Sequence, residues 1–254
     1  MELDLLAIIF VSVALGALVK GLAGFGFGIL GTALLVNFMP TRQAITVMII
    51  PLLAVNIPLI FEAEFKHLKS CLNKYKLFVS LGILGSFLGV LLVDFLPIRT
   101  LSVLVGSVAI GYVYLKQDIL WKPKGRIVSK CFTDKRFNQS WIGVFSGTAF
   151  GATNIGLPFV IYLERLDTDR ETFIGLLSLI ILTATLVRTT YSYFARFYVE
   201  NLLLVSIVAG LFGLLVSEGA TKISHKIPSN FLEALTLLMI FVAGLRVLIT
   251  NLGF

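Results

Sequence analysis

The chain of 254 residues is 57% hydrophobic and only 14% charged, and its mean hydropathy is +0.97. A soluble globular domain carries roughly 25% charged residues, so this composition predicts a multi-pass protein of the lipid bilayer, and we expect it in the cytoplasmic (inner) membrane. The net charge of +7 does not indicate a nucleic-acid partner, because the basic residues lie in the gaps between apolar segments. We expect the first apolar segment to stay in place as a membrane span rather than to be cleaved as a signal peptide.

Eight apolar segments predict an all-α fold with about eight transmembrane helices. In chain order they are Leu5–Met39, Ala44–Phe61, Leu77–Leu96, Ile98–Leu115, Trp141–Leu163, Thr172–Ala195, Leu202–Thr221 and Phe231–Thr250. The first segment is too long for one straight crossing at 1.5 Å per residue, so it must be tilted, broken or folded back. We predict a first transmembrane repeat over 1–116, a basic cytoplasmic linker over 117–138 and a second repeat over 139–254.

Basic residues indicate which connections lie in the cytoplasm. If the eight segments cross in simple alternation, the connections after the second, fourth and sixth segments carry twelve Lys and Arg, against six on the other side. That count favours both termini inside the cell. If the first segment is a hairpin instead, the N-terminus moves outside, and the sequence leaves this alternative open.

A cluster of glycines lies where a membrane helix is normally uniformly apolar. Gly24, Gly26 and Gly28 follow one another at every second position, and glycine costs a helix interior about 1 kcal/mol relative to alanine. The cluster therefore predicts a break in the first helix. Irregular backbone at membrane depth survives only where it is buried in protein or lines a wet cavity.

The same signal recurs 128 positions later. With that offset Gly28 aligns with Gly156, Arg42 with Arg170, and the tract Gly24–Gly28 with Ala152–Gly156. We interpret the alignment as two homologous halves whose first helices are both broken. In duplicated transporters the substrate site lies between corresponding broken segments. An even number of crossings per half gives parallel repeats, and an odd number with a re-entrant piece gives inverted ones.

The two glycine-rich tracts also carry a family resemblance. The first contains Gly16, Gly21 and Gly24-Phe25-Gly26-Phe27-Gly28, and the second contains Gly147 and Gly151–Pro158, with Asp169-Arg170 leading to Val187-Arg188. Together they resemble the TauE/SafE (sulfite exporter) family, over nearly the whole chain. The resemblance implies export of small sulfur-containing or organic anions, such as sulfite, sulfonates or sulfoacetate-like compounds.

Charged residues inside membrane segments are costly and are therefore candidates for function. Lys20 lies beside the first break, where it can hold an anion together with backbone N–H groups freed around Gly24, Gly26, Gly28 and Gly156. Arg188 offers forked donors suited to sulfonate or carboxylate oxygens, and it shares a helix face with Thr185, Tyr191 and Ser192. The alternatives are that Lys20 caps carbonyls or extends to an interface, and that Arg188 is an anchor at a membrane boundary. Arg246 fits an anchor better.

Uncharged polar residues complete the candidate substrate site. Asn56 lies between Pro51 and Pro58, and Thr153 and Asn154 occupy the second break. Each supplies hydrogen-bonding groups to a substrate, or satisfies backbone groups that the breaks and prolines open. No carboxylate stands out as a coupling residue, because Asp94 and Glu218 lie in the last turns of their segments.

Enzyme motifs are absent from the sequence, which contains no HExxH, GxSxG, Walker loop or CxxC. Cys71 and Cys131 are expected to be free thiols, and we expect no cofactor and no metal. The function we predict is secondary export of a small anion by alternating access; the alternatives are a passive anion channel and a membrane scaffold that transports nothing. A homodimer is possible through the small residues Gly82, Gly85, Ser86 and Gly89, which form a face that can equally pack within one chain.

Overall fold

A computed structural model describes residues 3–24, 26–62, 65–121, 136–163, 170–199, 201–224 and 229–252, and all regular structure within these ranges is α-helical. The helices are α1 (Leu3–Ala23), α2 (Phe27–Leu35), α3 (Thr41–Val47), α4 (Ile49–Glu62), α5 (Phe65–Phe95), α6 (Ile98–Trp121), α7 (Arg136–Thr153), α8 (Leu157–Leu163), α9 (Arg170–Phe194), α10 (Leu202–Ser224) and α11 (Ser229–Leu252). Six described stretches are long and apolar enough to cross a membrane, which supports a polytopic membrane protein. Most of the predicted linker lies outside the described residues, although α6 and α7 extend into its two ends.

The chain leaves helical geometry at both places where the sequence predicts a break. Between α1 and α2, Gly24 and Gly26 have φ of 84° and 94°. Between α7 and α8, Asn154 has φ of 63°. Glycine adopts positive φ without steric cost, and asparagine is among the few other residues that tolerate it, so the residue types at the two breaks fit the backbone they must form.

Each short helix after a break turns back along the helix before it. Gly16 of α1 lies against the backbone of Phe27 and Gly31, while Gly31 lies near the carbonyl oxygen of Ser12, so α2 runs antiparallel to α1. In the second case Phe159 packs on Gly82 and Tyr162 packs on Phe78, so α8 runs toward the start of α5. These return helices mean that the first and fifth apolar segments do not act as simple crossings.

Small residues set the direction of the long helices. Gly82, Gly85 and Gly89 of α5 meet Gly147, Val144 and Gly151 of α7 so closely that a Cβ on most of these glycines would fall within 3 Å of the neighbouring backbone. The contacts advance together along both helices, so α5 and α7 are parallel. The small face predicted for close packing is therefore buried inside the chain, and the predicted homodimer cannot rest on it.

The same parallel packing recurs between α1 and α10. Val13 contacts Gly213, and Gly21 lies against Ser217 and Ala220. The end of α5 lies near the start of α10, because Arg42 donates to the carbonyl oxygen of Val93 and lies 5.6 Å from the ring centroid of Phe197. The helices α5 and α10 therefore run in opposite directions, and so do α1 and α7. At the remaining long pair, α6 and α11 are antiparallel, with Gly106 against Gly244 and Leu248.

Contacts at the helix ends define two faces of the molecule. The terminal face contains the start of α3, the end of α5 and the end of α11: Arg42 donates to the carbonyl oxygens of Val93 and Asp94, and Arg99 donates to that of Asn251. Arg42 also lies 5.6 Å from the ring centroid of Phe197, in the α9–α10 connection. The connections after the third and sixth apolar segments therefore lie on the same face. The prediction that all eight segments cross in simple alternation is wrong, because it puts these two connections on opposite faces. Simple alternation fails because α2 and α8 return along the preceding helix instead of completing a crossing.

With the helix directions known, the basic residues divide unevenly. We call the face opposite the terminal face the linker face; it is the face where α6 ends and α7 begins. The sequence at and between the helix ends of the linker face contains fifteen Lys and Arg. They are Lys66, Lys69, Lys74, Lys76, Lys116, Lys122, Lys124, Arg126, Lys130, Lys135, Arg136, Arg165, Arg170, Lys222 and Lys226. The terminal side has four: Arg42, Arg99, Arg196 and Arg246.

Candidate functional site

Arg188 of α9 is a fully buried cation, with 0% of its surface exposed. Its Nη2 donates a hydrogen bond to Oδ1 of Asn154, and its guanidinium carbon lies 5.0 Å from the ring centroid of Phe150. Nε and Nη1 are buried without a hydrogen-bond partner, and no carboxylate of the described residues forms an ion pair with this side chain. Buried charges are normally paired and hydrogen-bonded, so Nε and Nη1 of this guanidinium are free to donate to a further acceptor.

Three buried hydroxyl groups without a hydrogen-bond partner belong to the two helices, α7 and α9, that meet at Arg188, or to the connection that follows α9. Ser192 lies one turn further along the same helix face, and Ser146 lies one turn before Phe150, whose ring contacts the guanidinium. The hydroxyl of Tyr198, in the α9–α10 connection, is buried and interacts electrostatically with Arg188. We call Arg188, Ser146, Ser192 and Tyr198 the Arg188 cluster. All its members can donate hydrogen bonds, and no described carboxylate belongs to it.

Tyr198 stays a neutral donor at physiological pH. Burial raises the pKa of its hydroxyl above the ordinary value of about 10, and the positive charge of Arg188 offsets only part of that rise. The position of this tyrosine depends on a tight turn after α9, in which Arg196 has φ of 55° and the backbone N–H of Phe197 donates to the carbonyl oxygen of Ser192.

Asn154 holds Arg188 in place rather than presenting a free amide. Its Oδ1 accepts from Arg188, and its Nδ2 donates to Oγ1 of Thr32 and to the carbonyl oxygen of Ile45, both at 3.0 Å. Both amide N–H donors are therefore occupied. The side chain joins the second break to α2 and α3, and the substrate-binding role predicted for Asn154 remains a prediction.

The two breaks meet directly at Gly28. A Cβ built on Gly28 would lie 2.2 Å from the carbonyl oxygen of Asn154, so only glycine allows the start of α2 to approach the second break this closely. A Cβ built on Gly156, the residue aligned with Gly28, would lie 3.6 Å from the ring of Phe150, which is an ordinary contact. The aligned tracts thus converge on one place, with Arg188 beside it.

Lys20 and Asn56 form a second buried polar group. Lys20 is 8% exposed, and its Nζ donates to the carbonyl oxygen of Val55 and, at 3.0 Å, to Oδ1 of Asn56. Asn56 in turn donates from Nδ2 to the carbonyl oxygen of Leu52 at 2.6 Å. These bonds tie the last turn of α1 to α4, about ten residues along the chain from the Ile45 carbonyl that contacts Asn154. Substrate binding by Lys20 and Asn56 remains a prediction.

The other predicted site residues are arranged as follows. Thr153 donates to the carbonyl oxygen of Ala149 and accepts from the backbone N–H of Ile155, so its hydroxyl serves the break itself. A Cβ on Gly26 would meet Val19 and Thr236, and one on Gly24 would meet nothing within 4 Å. Neither glycine is brought to the Arg188 cluster by these contacts.

Sequence reasoning missed Ser146, Phe150 and Tyr198. Ser146 and Phe150 lie one turn apart just before the second break, which was a usable signal once Arg188 was suspected. Tyr198 lies beyond the end of α9, and its position relative to Arg188 depends on a turn that propensities do not specify. Thr185, by contrast, donates to the carbonyl oxygen of Ile181 within its own helix.

A comparison with protein-family models identifies the family of this chain. The model of the sulfite exporter TauE/SafE family matches residues 8–247, a range that includes both breaks and Arg188. The chain belongs to the TauE/SafE family. Searches of curated proteins and of solved structures found no match for this TauE/SafE protein. The family consists of transporters rather than enzymes, so membership indicates an anion-exporter type of membrane transporter and supports the resemblance predicted from the two glycine tracts.

Proposed function

We propose that this protein is a secondary transporter that exports small sulfur-containing or organic anions, and that the anion binds at the Arg188 cluster. One observation carries the assignment: a fully buried guanidinium has two nitrogens without a partner and no described carboxylate paired with it. A charge inside a membrane protein is costly, so a negatively charged ligand is the group that best balances it. The donors fit sulfonate, sulfite or carboxylate oxygens.

The helix directions support alternating access. The helix bounds of the second half follow those of the first at offsets between 128 and 137, and α1 and α7, which open the two halves, run in opposite directions. We therefore propose two homologous halves of inverted topology, an arrangement in which the substrate site lies between the broken segments and one half rocks against the other. Asn154, bonded both to Arg188 and to Thr32, spans the boundary between these halves.

The orientation of the protein follows from the charges. The positive-inside rule places the linker face, with fifteen basic residues against four, in the cytoplasm. Both described ends of the chain, the start of α1 and the end of α11, then lie on the outer side. This proposal replaces the expectation that both termini are inside. It goes further than the hairpin alternative, which moved only the N-terminus outside, because the second half contains a return helix as well.

The experiment is a flux assay in proteoliposomes over sulfite, sulfonates and carboxylates, with the full-length chain. We expect Arg188→Gln to lower uptake about 100-fold, because removing one partner of a buried charge pair costs several kcal/mol. Arg188→Lys keeps the charge but not the fork, so it should retain part of the flux. The matched control is Arg246→Gln, because Arg246 is an exposed residue that lies 5.2 Å from the ring centroid of Phe38.

Three results would contradict the proposal. Normal flux in Arg188→Gln would remove the cluster from the pathway. Flux that never saturates and ignores imposed proton and sodium gradients would indicate a passive channel, and no flux of any anion by well-folded protein would indicate a non-transporting scaffold.

A further inference from the structure

The charges around Arg188 can be counted within the described part of the chain. The groups that accompany the guanidinium are the Asn154 amide, the Phe150 ring and the hydroxyls of the Arg188 cluster, all of them uncharged at neutral pH. The Asp94 carboxylate accepts a hydrogen bond from Tyr191 and pairs with Arg42 at 3.6 Å, so its negative charge is balanced by that arginine. Lys20 bonds to α4 at Val55 and Asn56. The site as described therefore carries a single positive charge.

We infer that the Arg188 cluster selects anions by charge: it binds a monovalent anion with at least two acceptor oxygens and discriminates against the divalent form of the same molecule. This inference rests on the proposed function and adds the charge state of the bound substrate. It follows from the count above, because one guanidinium neutralises one negative charge.

A second negative charge would have no counter-charge in the site. The hydroxyls of Ser146, Ser192 and Tyr198 can donate hydrogen bonds, but they bring no formal charge, and an uncompensated ion in a low-dielectric interior is strongly disfavoured. Arg188 paired with a monoanion is neutral as a unit, so the loaded site can be closed off from water at a much lower cost.

The donors also specify the shape of the ligand. Nε and Nη1 of Arg188 point along different directions of one planar group, and three hydroxyls add further donors. A sulfonate or carboxylate offers several oxygens to these donors, whereas a halide offers one centre without directional lone pairs. For sulfite, the form that fits is hydrogensulfite, which carries one charge and three oxygens.

The test compares two probes of similar tetrahedral shape, methanesulfonate and methylphosphonate. Methanesulfonate is a monoanion throughout the neutral range, and methylphosphonate passes from monoanion to dianion within it. Affinities for the purified full-length protein are measured by calorimetry at a pH below and a pH above the second ionisation of the phosphonate. Methanesulfonate reports any change in the protein itself, and Tyr198 does not ionise in this range because burial raises its pKa.

We expect the two probes to bind with similar affinity at the lower pH. At the higher pH the phosphonate should bind at least about tenfold more weakly, equivalent to 1.4 kcal/mol, while methanesulfonate is unchanged. Arg188→Lys should keep the preference for the monoanion, since it keeps the single charge.

Phosphonate binding that tightens or stays constant on its second ionisation would overturn the inference while leaving anion transport intact. Methanesulfonate binding that is insensitive to Arg188→Gln would overturn both this inference and the assignment of the site. Anion flux in proteoliposomes, measured on the same preparation, separates these outcomes from a failure of the transporter proposal.

Discussion

Replacing Gly28 with alanine should damage the site through the backbone rather than through any lost contact. The added Cβ would lie 2.2 Å from the carbonyl oxygen of Asn154, so one of the two segments must move by about an ångström to restore ordinary packing. The Asn154 backbone has little freedom to accommodate this, because its φ of 63° is already a sparsely populated conformation.

The magnitude can be worked from two effects. Overpacking a close backbone contact costs about 1–3 kcal/mol of folding stability, which for a chain of this size lowers Tm by several degrees. Displacing Asn154 also moves Oδ1 away from Arg188, and a hydrogen bond to a charged group contributes about 1.5–3 kcal/mol. We therefore expect anion affinity to fall by roughly 10- to 100-fold in Gly28→Ala.

The assay is thermal unfolding in detergent together with anion affinity and flux. Gly156→Ala is the matched comparison, because it is the aligned glycine and a Cβ there meets only ordinary contacts at 3.6 Å or more. Gly111→Ala, where nothing lies within 4 Å, is the control for alanine substitution in a helix. If Gly28→Ala matches Gly111→Ala in both Tm and affinity, the two breaks do not pack as described and the reasoning fails.

Three further predictions concern other parts of the molecule. Tyr198→Phe should weaken anion affinity several-fold but leave the pH dependence of that affinity between pH 6 and 9 unchanged, because the raised pKa of Tyr198 keeps its hydroxyl protonated there. A different pH dependence of affinity in the variant would contradict this. Lys20→Met and Asn56→Leu should each lower Tm and be non-additive by about 0.5–3 kcal/mol in a double-mutant cycle, because the two side chains bond to each other; additive losses would show that the bond contributes nothing. In Thr100→Cys the new cysteine replaces an exposed residue of the terminal face, so it should react with an impermeant thiol reagent in intact cells while Cys71 does not. Labelling of Cys71 but not of the new cysteine would show that the proposed orientation is inverted.

The breaks were predictable from sequence because their cause is local. Alternating glycines weaken a helix wherever they occur, and the offset of 128 gave the second break from the first. The direction of the chain after each break was not predictable, because the nine residues of α2 have the same apolar composition whether they continue a crossing or return along α1. The contacts of Gly16 with Phe27 and of Gly31 with Ser12, which tertiary packing makes, distinguish the two cases.

The site was predictable only in part. Arg188 was identified because a charge in an apolar segment is costly wherever it lies, which is a property of the sequence. Its neighbours were not, because a shared helix face is a weak guide once other helices pack on it. Tyr191 shares the face but packs on the rings of Phe87 and Phe197, whereas Tyr198 interacts electrostatically with the guanidinium from beyond the helix end.

The two breaks contribute unequally, and this inequality bears on the transport cycle. In the first half, Gly28 lets the second break approach closely, and Thr32 and Ile45 accept hydrogen bonds from Asn154. The second half contains the Arg188 cation and the hydroxyl donors. In the proposed cycle Arg188 and Asn154 belong to the same half, so rocking of the proposed halves would break the bonds from Asn154 to Thr32 and Ile45 and leave its bond to Arg188 intact. On this argument the anion travels with the second half, and the Asn154 bonds to the first half stabilise one end state of the cycle. Thr32→Val should therefore shift the population between the two states without removing the anion site, which accessibility labelling measured with and without anion can detect.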